Sequence, residues 1–268
     1  MSKPLFEFRL RPLEEIQPWG TAADPNLHWF GLSDGCYWLN VGQHMLLEYS
    51  QQFQDEAGAT RYCDYQIVRL HEDVLDMLPH VLRPVPPELR EFIALKTESQ
   101  VGYWDAWTSL DDRLIDAETH FDLLDNAGTW LGERRLDSLY LSPSARIWMW
   151  SDEQEVHIQW DNRDVHSHGV PVWSASCGSF SLSRVDFVNE VKAFHWRFMQ
   201  QMAERVASIL SNGAPPGVRI DRSALWQDQQ RRASLSEQSF QPLADATPWL
   251  VVSAAVRQLE ELRKAALS

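Results

Sequence analysis

Residues 146–160 read Arg-Ile-Trp-Met-Trp-Ser-Asp-Glu-Gln-Glu-Val-His-Ile-Gln-Trp. Val156, Ile158 and Trp160 alternate with His157 and Gln159, so each set takes one face of an extended strand. Ser151-Asp152-Glu153-Gln154 is a polar break between two aromatic-rich runs, and the whole stretch predicts an antiparallel hairpin. The period then changes. Phe187, Val191, Phe194, Phe198, Met202, Val206 and Ile209 recur every three or four residues, the spacing of an amphipathic helix. Ser183 and Asp186 stand at the spacing of a capping pair, with Asp in place of the preferred Glu. Asn212-Gly213 is a stop signal, so the helix is expected over 183–211. A block of strands followed by a block of helix, without regular alternation, predicts an α+β fold.

Moving outward, Phe6, Phe8 and Leu10 alternate with Glu7 and Arg9 as in a half-buried strand. His28-Trp29-Phe30-Gly31-Leu32 and Cys36-Tyr37-Trp38-Leu39-Asn40 flank Ser33-Asp34-Gly35 and read as a second hairpin, with Val41 to Tyr49 extending the meander. Tyr62, Tyr65, Val68, Leu75, Leu78 and Leu82 approximate a helical stripe ending before Pro84-Val85-Pro86-Pro87. A shorter helix after a strand at 64–68 is the alternative. A second helix is expected from those prolines, and the Trp104, Trp107, Leu110, Leu114, Phe121, Leu124 and Trp130 spacing predicts one or two more. Leu139-Tyr140-Leu141 carries a strand signal. The tail after Arg222 predicts two helices separated near 239–248. Residues 1–212 are thus expected to form one α+β domain, divisible into sub-lobes 1–131 and 132–212, with 213–268 as a helical extension packing on it.

The chain has 268 residues, a net charge of −14 and thirteen Trp. Such a charge opposes general binding to nucleic-acid phosphates or to anionic membrane, both of which need clustered Lys and Arg. The N-terminus lacks a secretory apolar stretch, and Cys36, Cys63 and Cys177 are an odd, widely spaced set. The expectation is a cytoplasmic protein with reduced thiols.

Chemical motifs are sparse. Gly31-Leu32-Ser33-Asp34-Gly35 matches G-x-S-x-G, but a strand follows it where a nucleophile elbow needs a helix. His166 and His168, with Asp161 and Asp164 nearby, are the best metal candidates, although a zinc site needs three or four ligands. They make a metal-dependent hydrolase the alternative function. His195 lies beside the main stripe of the long helix. His71-Glu72-Asp73 pairs a candidate base with carboxylates and equally reads as a solvated helix face with a helix-start charge pattern. No phosphate-cradling loop occurs. The expectation is a chain without catalytic residues or cofactor.

Charge is unevenly placed. Residues 104–164 hold fourteen Asp or Glu against five Arg, whereas 184–232 hold eight Arg or Lys against five acids. An acidic segment containing Trp suits docking of a basic partner, because interface centres favour Trp. Trp104, Asp105, Trp107, Asp111, Asp112, Asp116 and Glu118 are the candidate partner-binding residues. A homodimer through the long helix is a further alternative.

Pro18-Trp19-Gly20, the string His28 to Trp38 (H-W-F-G-L-S-D-G-C-Y-W), Tyr62 to Pro86 and Arg135 to Trp160 together resemble a bacterial family classed as a domain of unknown function. The resemblance spans residue 5 to about residue 210 and leaves the tail outside. It implies no catalytic residues. More loosely, the chain is similar to immunity proteins encoded beside bacterial toxins, which implies a cognate toxin with a basic surface as partner.

Overall fold

Strand β4 (Asp34–Val41) is paired along both edges, and its side chains alternate between half-buried and buried positions. A computed structural model describes residues 3–94, 104, 106–110, 114–213, 216–234, 239–240 and 247–266. In chain order its elements begin with β1 (Phe6–Leu10), the β2–β3 ribbon (Trp19–Thr21, Asp24–Asn26) and α1 (Trp29–Leu32). After β4 come β5 (His44–Leu46), α2 (Gln51–Ala57), β6 (Cys63–Gln66), α3 (Ile67–Val81), α4 (Arg90–Ile93) and α5 (Ala117–Gly132). The second half holds β7 (Ile147–Ser151), β8 (Glu155–Asp161), β9 (His166–Ser167), β10 (Val170–Pro171) and β11 (Cys177–Ser183). It ends in α6 (Arg184–Asn212), α7 (Arg222–Ala233) and α8 (Trp249–Ala266). Helices with small antiparallel sheets make the fold α+β.

β1 pairs with one edge of β4, while β5 and β6 share the other. The inward side chains of β1 meet α6: Phe6 stacks on Phe194 at 5.3 Å, and Phe8 meets Phe198 edge-on at 5.7 Å. The predicted 146–160 hairpin is β7 and β8, in register Ile147↔Trp160 through Ser151↔Val156. Asp152 closes its turn by accepting from the backbone N–H groups of Gln154 and Glu155, both at 2.8 Å. The expected cap of the long helix is present: Ser183 Oγ accepts from Asp186 N at 3.1 Å and donates to the Asp186 carboxylate at 2.7 Å. Gly213, with φ +86°, ends that helix.

Three expectations are corrected. Residues 28–32 form α1 rather than a strand. His28 caps it, accepting at Nδ1 from Gly31 N at 3.1 Å. Trp29 and Leu32, three apart, share its buried face, and long-range burial overrides the strand preference of aromatics. The hairpin is instead made by β4 and β5 around Gly42, whose φ is +60°. Residues 63–66 form a strand before α3, because the edge of β4 offers backbone partners there. Leu139-Tyr140-Leu141 is a turn, with Leu139 exposed and the Tyr140 hydroxyl donating to Asp73 Oδ2 at 2.8 Å.

Buried apolar side chains form two clusters. The larger joins β1, β4, β6, α3, β7, β8 and α6. The smaller is built from Val85, Leu89, Ile93, Trp107, Ala127, Trp130 and Trp150, with Val252, Ala255, Val256 and Leu259 of α8. The tail helices enter both. Leu225 of α7 joins the larger cluster, and Gln229 accepts from the buried Trp29 indole at 2.8 Å.

Gly35 sits opposite Leu10 in the β1–β4 pair, where a Cβ would lie 2.2 Å from Arg9 O. Backbone cannot step aside as a side chain can. Gly35→Ala is expected to lower stability by ~1–3 kcal/mol, the usual cost of overpacking. Urea unfolding of the two proteins measures it, and equal midpoints would refute the close-approach argument.

Candidate functional site

Helix α5 begins at Asp116, whose side chain accepts from Thr119 N at 3.0 Å and Thr119 Oγ1 at 2.8 Å. The Thr119 backbone bond is the main reason its carboxyl sits below the ordinary range. Negative charge at the first turn also suits the positive end of the helix dipole. Ala127 and Trp130 are buried, and Leu123, Leu124 and Leu131 are partly buried against the second cluster. The opposite side carries Glu118, Phe121, Asp122 and Asp125, all exposed and at the three-to-four spacing of one helical stripe. Phe121 is 69% exposed, and nearby Leu114 is 40% exposed. Residues 114–132 contain no Lys or Arg. Among the described residues no cation lies within salt-bridge distance of Glu118, Asp122 or Asp125.

Trp104, 37% exposed, lies against the same helix two turns further on. A Cβ on Gly128 would stand 2.4 Å from Trp104 Cη2, so the missing side chain admits the indole. Asp116, Glu118 and Trp104 are therefore brought to one helix. Trp107 is not offered to a partner. It is buried in the second cluster, and its indole donates to Glu260 Oε1 of α8 at 2.7 Å. Asp105, Asp111 and Asp112 lie outside the described residues. Phe121, Asp122 and Asp125 join the candidate set. Their signal was in the spacing: Phe121 and Trp130 are nine residues apart, about 180° around a helix, so they cannot share one buried face.

The other chemical candidates are dispersed or occupied. His166 lies in β9 and His168 in the following tight turn, with φ +51°. Asp161 is held by Arg163 at 2.7 Å, and Asp164 faces Arg146 at 3.9 Å. Among the described residues no three His, Cys, Asp or Glu side chains come together as metal ligands. Ser33 is buried, and its hydroxyl donates to Phe30 O at 2.7 Å, which ends α1 instead of exposing a nucleophile. A groove of ≈570 Å³ beside β1, β4 and β6 is lined by Arg9, Arg11, Arg61, Tyr62, Asp64 and Cys36. Arg11 pairs there with Asp34 and Asp64 at 2.8 and 2.6 Å, and Arg61 with Glu48 at 2.7 Å. Those carboxylates neutralise most of its positive charge.

Two part-buried polar pairs organise α3. His71 Nε2 lies 2.9 Å from His195 Nδ1, which explains the histidine set beside the apolar stripe of α6. Burial is the main reason both imidazoles sit below their ordinary range, His71 at about 3. Asp73 is pushed up to about 7, chiefly by burial and against the Tyr140 hydrogen bond. Tyr140 in turn receives the Tyr37 hydroxyl at 3.3 Å and stacks on Tyr65 at 4.8 Å. The folded protein therefore holds a proton on Asp73 that the unfolded chain, with an aspartate value of about 3.9, releases. This contribution is fully present below the unfolded value and is lost as pH rises through about 7. Asp73→Asn keeps an acceptor for Tyr140 but cannot ionise. Its melting temperature, followed across mildly acidic to mildly alkaline pH, is expected to fall less than that of the parent and to exceed it on the alkaline side. Parallel profiles would refute the assignment.

No helix of the described residues is long and apolar enough to cross a membrane. No curated protein and no solved structure matches the chain. The match to a protein family covers residues 5–255, well past residue 210, and so takes in α7 and the start of α8. The tail, expected from the sequence to lie outside any family resemblance, is part of it: the chain belongs to a family of unknown function, DUF5984.

Proposed function

We propose that this protein binds and neutralises a basic partner protein, most specifically a bacterial toxin, as a stoichiometric immunity protein. The observation that carries the reading is the outward side of α5. It joins three carboxylates lacking ion pairs among the described residues to the most exposed phenylalanine ring of a named element. Carboxylates of one sign steer a cationic partner and raise its encounter rate, while a central aromatic supplies contact area. The acidic balance of residues 104–164 extends the same field. A toxin that grips nucleic acid has a positive groove and is the complementary shape of charge.

The experiment is co-expression of the neighbouring open reading frame with and without this gene. The neighbour is expected to arrest growth alone, to be silenced by this chain and to co-purify with it at one-to-one stoichiometry. Asp122→Lys with Asp125→Lys, and separately Phe121→Ala, should weaken binding by about 10- to 100-fold at unchanged melting temperature, as central contacts do. A harmless neighbour, failure to co-purify, or unchanged affinity in both variants would contradict the proposal.

A second copy packing on α6 is the other reading. Val185 and Trp196 are 69% and 65% exposed and lie eleven residues apart, about three turns, on one side of that helix. Light scattering over a concentration series separates the two, since a mass that stays monomeric removes the dimer.

A further inference from the structure

His157 stands in β8, the middle strand of the β7–β8–β11 sheet, opposite Trp150 on one side and Ser181 on the other. Arg184 N donates to Gln154 O at 3.2 Å and Asn162 N to Ser176 O at 2.6 Å, so even-numbered residues of β11 take the hydrogen-bonded positions against β8. Ser181 and His157 are therefore a non-hydrogen-bonded pair, the kind in which side chains stand closest. The Ser181 Oγ lies 2.8 Å from His157 Nδ1. The other ring nitrogen, Nε2, lies 3.1 Å from Asp152 Oδ2 in the turn before β8. The Trp150 ring, 4.2 Å away between centroids, packs on the imidazole.

The two oxygens of Asp152 do different things. Oδ1 accepts from the backbone N–H groups of Gln154 and Glu155, and Oδ2 faces the imidazole. Burial pushes this carboxyl up, but those backbone bonds and His157 outweigh it and hold it at about 2. A carboxylate only accepts, so the proton of the neutral ring belongs on Nε2. Nδ1 is left with a lone pair, which accepts from the Ser181 hydroxyl. A nucleophile bonded to a base that a third group orients is the arrangement that activates serine. Ser181 is exposed, and the imidazole and carboxylate are partly so, which gives a reactant access to the hydroxyl. In this register the Ser181 N–H points to the far edge of β11, which no strand covers among the described residues. It offers a donor to an oxyanion developing beside Oγ. The three residues match no linear motif, and strand register brings them together.

We propose that Ser181, His157 and Asp152 form an acyl-transfer site that hydrolyses carboxylic esters, with Ser181 as nucleophile, His157 as general base and Asp152 as positioning residue. Ser181 Oγ attacks the acyl carbon while His157 Nδ1 takes the hydroxyl proton. The bond from that carbon to the leaving alkoxide breaks, the proton passes to the alkoxide, and an acyl-serine remains. Water then attacks it, giving a proton to Nδ1, and the acid departs as the Ser181 hydroxyl is restored. With one backbone donor beside Oγ, an ester with a good leaving group is the class the site suits. The site shares no residue with the acidic face of α5 and does not rest on it.

A fluorophosphonate probe and p-nitrophenyl acetate, both applied to the folded full chain, test the proposal. The probe should form an adduct that peptide mass spectrometry maps to Ser181 and that heat-unfolded chain does not form. Ser181→Ala should lose the adduct and the ester hydrolysis at unchanged melting temperature. His157→Gln should slow both by about 100-fold or more, the usual share of a general base. Asp152→Asn keeps the Oδ1 acceptor for the turn but presents an amide donor to Nε2. It should slow hydrolysis to a similar degree, and the imidazole ¹⁵N shifts of His157 should show the proton moved from Nε2 to Nδ1, which a merely structural role would not require. No adduct on the parent, an adduct at another residue, or unchanged hydrolysis in Ser181→Ala would overturn the site. An unmoved proton in Asp152→Asn would overturn the role of Asp152.

Discussion

Helix α5 has one apolar side, and α8 covers it. Val252, Ala255, Val256 and Leu259 pack against Ala127, Trp130 and the leucines around them, and the Trp107 indole donates to Glu260 at the edge of that contact. Burying a Val or Leu side chain contributes about 1.5–3 kcal/mol, so several such residues meeting in one place determine where both helices lie. The arrangement also leaves the other side of α5 free to be acidic. Four carboxylates from Asp116 to Asp125 are crowded within three turns, with no basic residue among them. Like charges at that spacing destabilise a helix slightly, and the apolar seam with α8 offsets that cost.

The remainder of the molecule is organised by β4. A strand paired on both edges has no free backbone to offer outside, and its buried side chains fix which faces of α3 and α6 turn inward. The C-terminal helices are integral to this body. α7 closes over α1 through Trp29 and Gln229, and Arg232 lies 4.5 Å above the same indole. α8 closes the second cluster. Both hydrophobic clusters therefore draw on chain that follows residue 213, in keeping with a family match that runs to residue 255.

The elements readable from the sequence were those whose local pattern and long-range packing agree. The β7–β8 hairpin alternates cleanly, α6 keeps its stripe for eight turns behind a Ser–Asp cap, and both tail helices lie where they were expected. The elements misread were those where tertiary contacts override local preference. Trp29 and Phe30 prefer strands yet sit in a helical turn that buries Trp29. Cys63–Gln66 continues a helical spacing yet finds an edge to pair with. The same split runs through the candidate site. Asp116 and Glu118 were legible as part of an acidic run. Trp107 was not, because the indole partner that buries it lies 153 residues away in α8. Phe121 was misplaced into the apolar stripe although its helical angle separates it from Trp130. Charge density thus pointed to the segment that holds the exposed acidic stripe of α5, while exposure depended on helices distant in sequence.

The central claim is that α8 holds α5 in place and so presents its acidic face. Hydrogen exchange of the Leu259→Ala protein tests this most directly, since Leu259 is fully buried in the seam. Truncating a buried leucine costs about 2–5 kcal/mol, and local openings report which elements bear that loss. Amides of α5 and α8 should lose protection together, while those of β4 and β8 keep theirs. Unchanged protection in α5, or an equal loss in every element, would contradict the account.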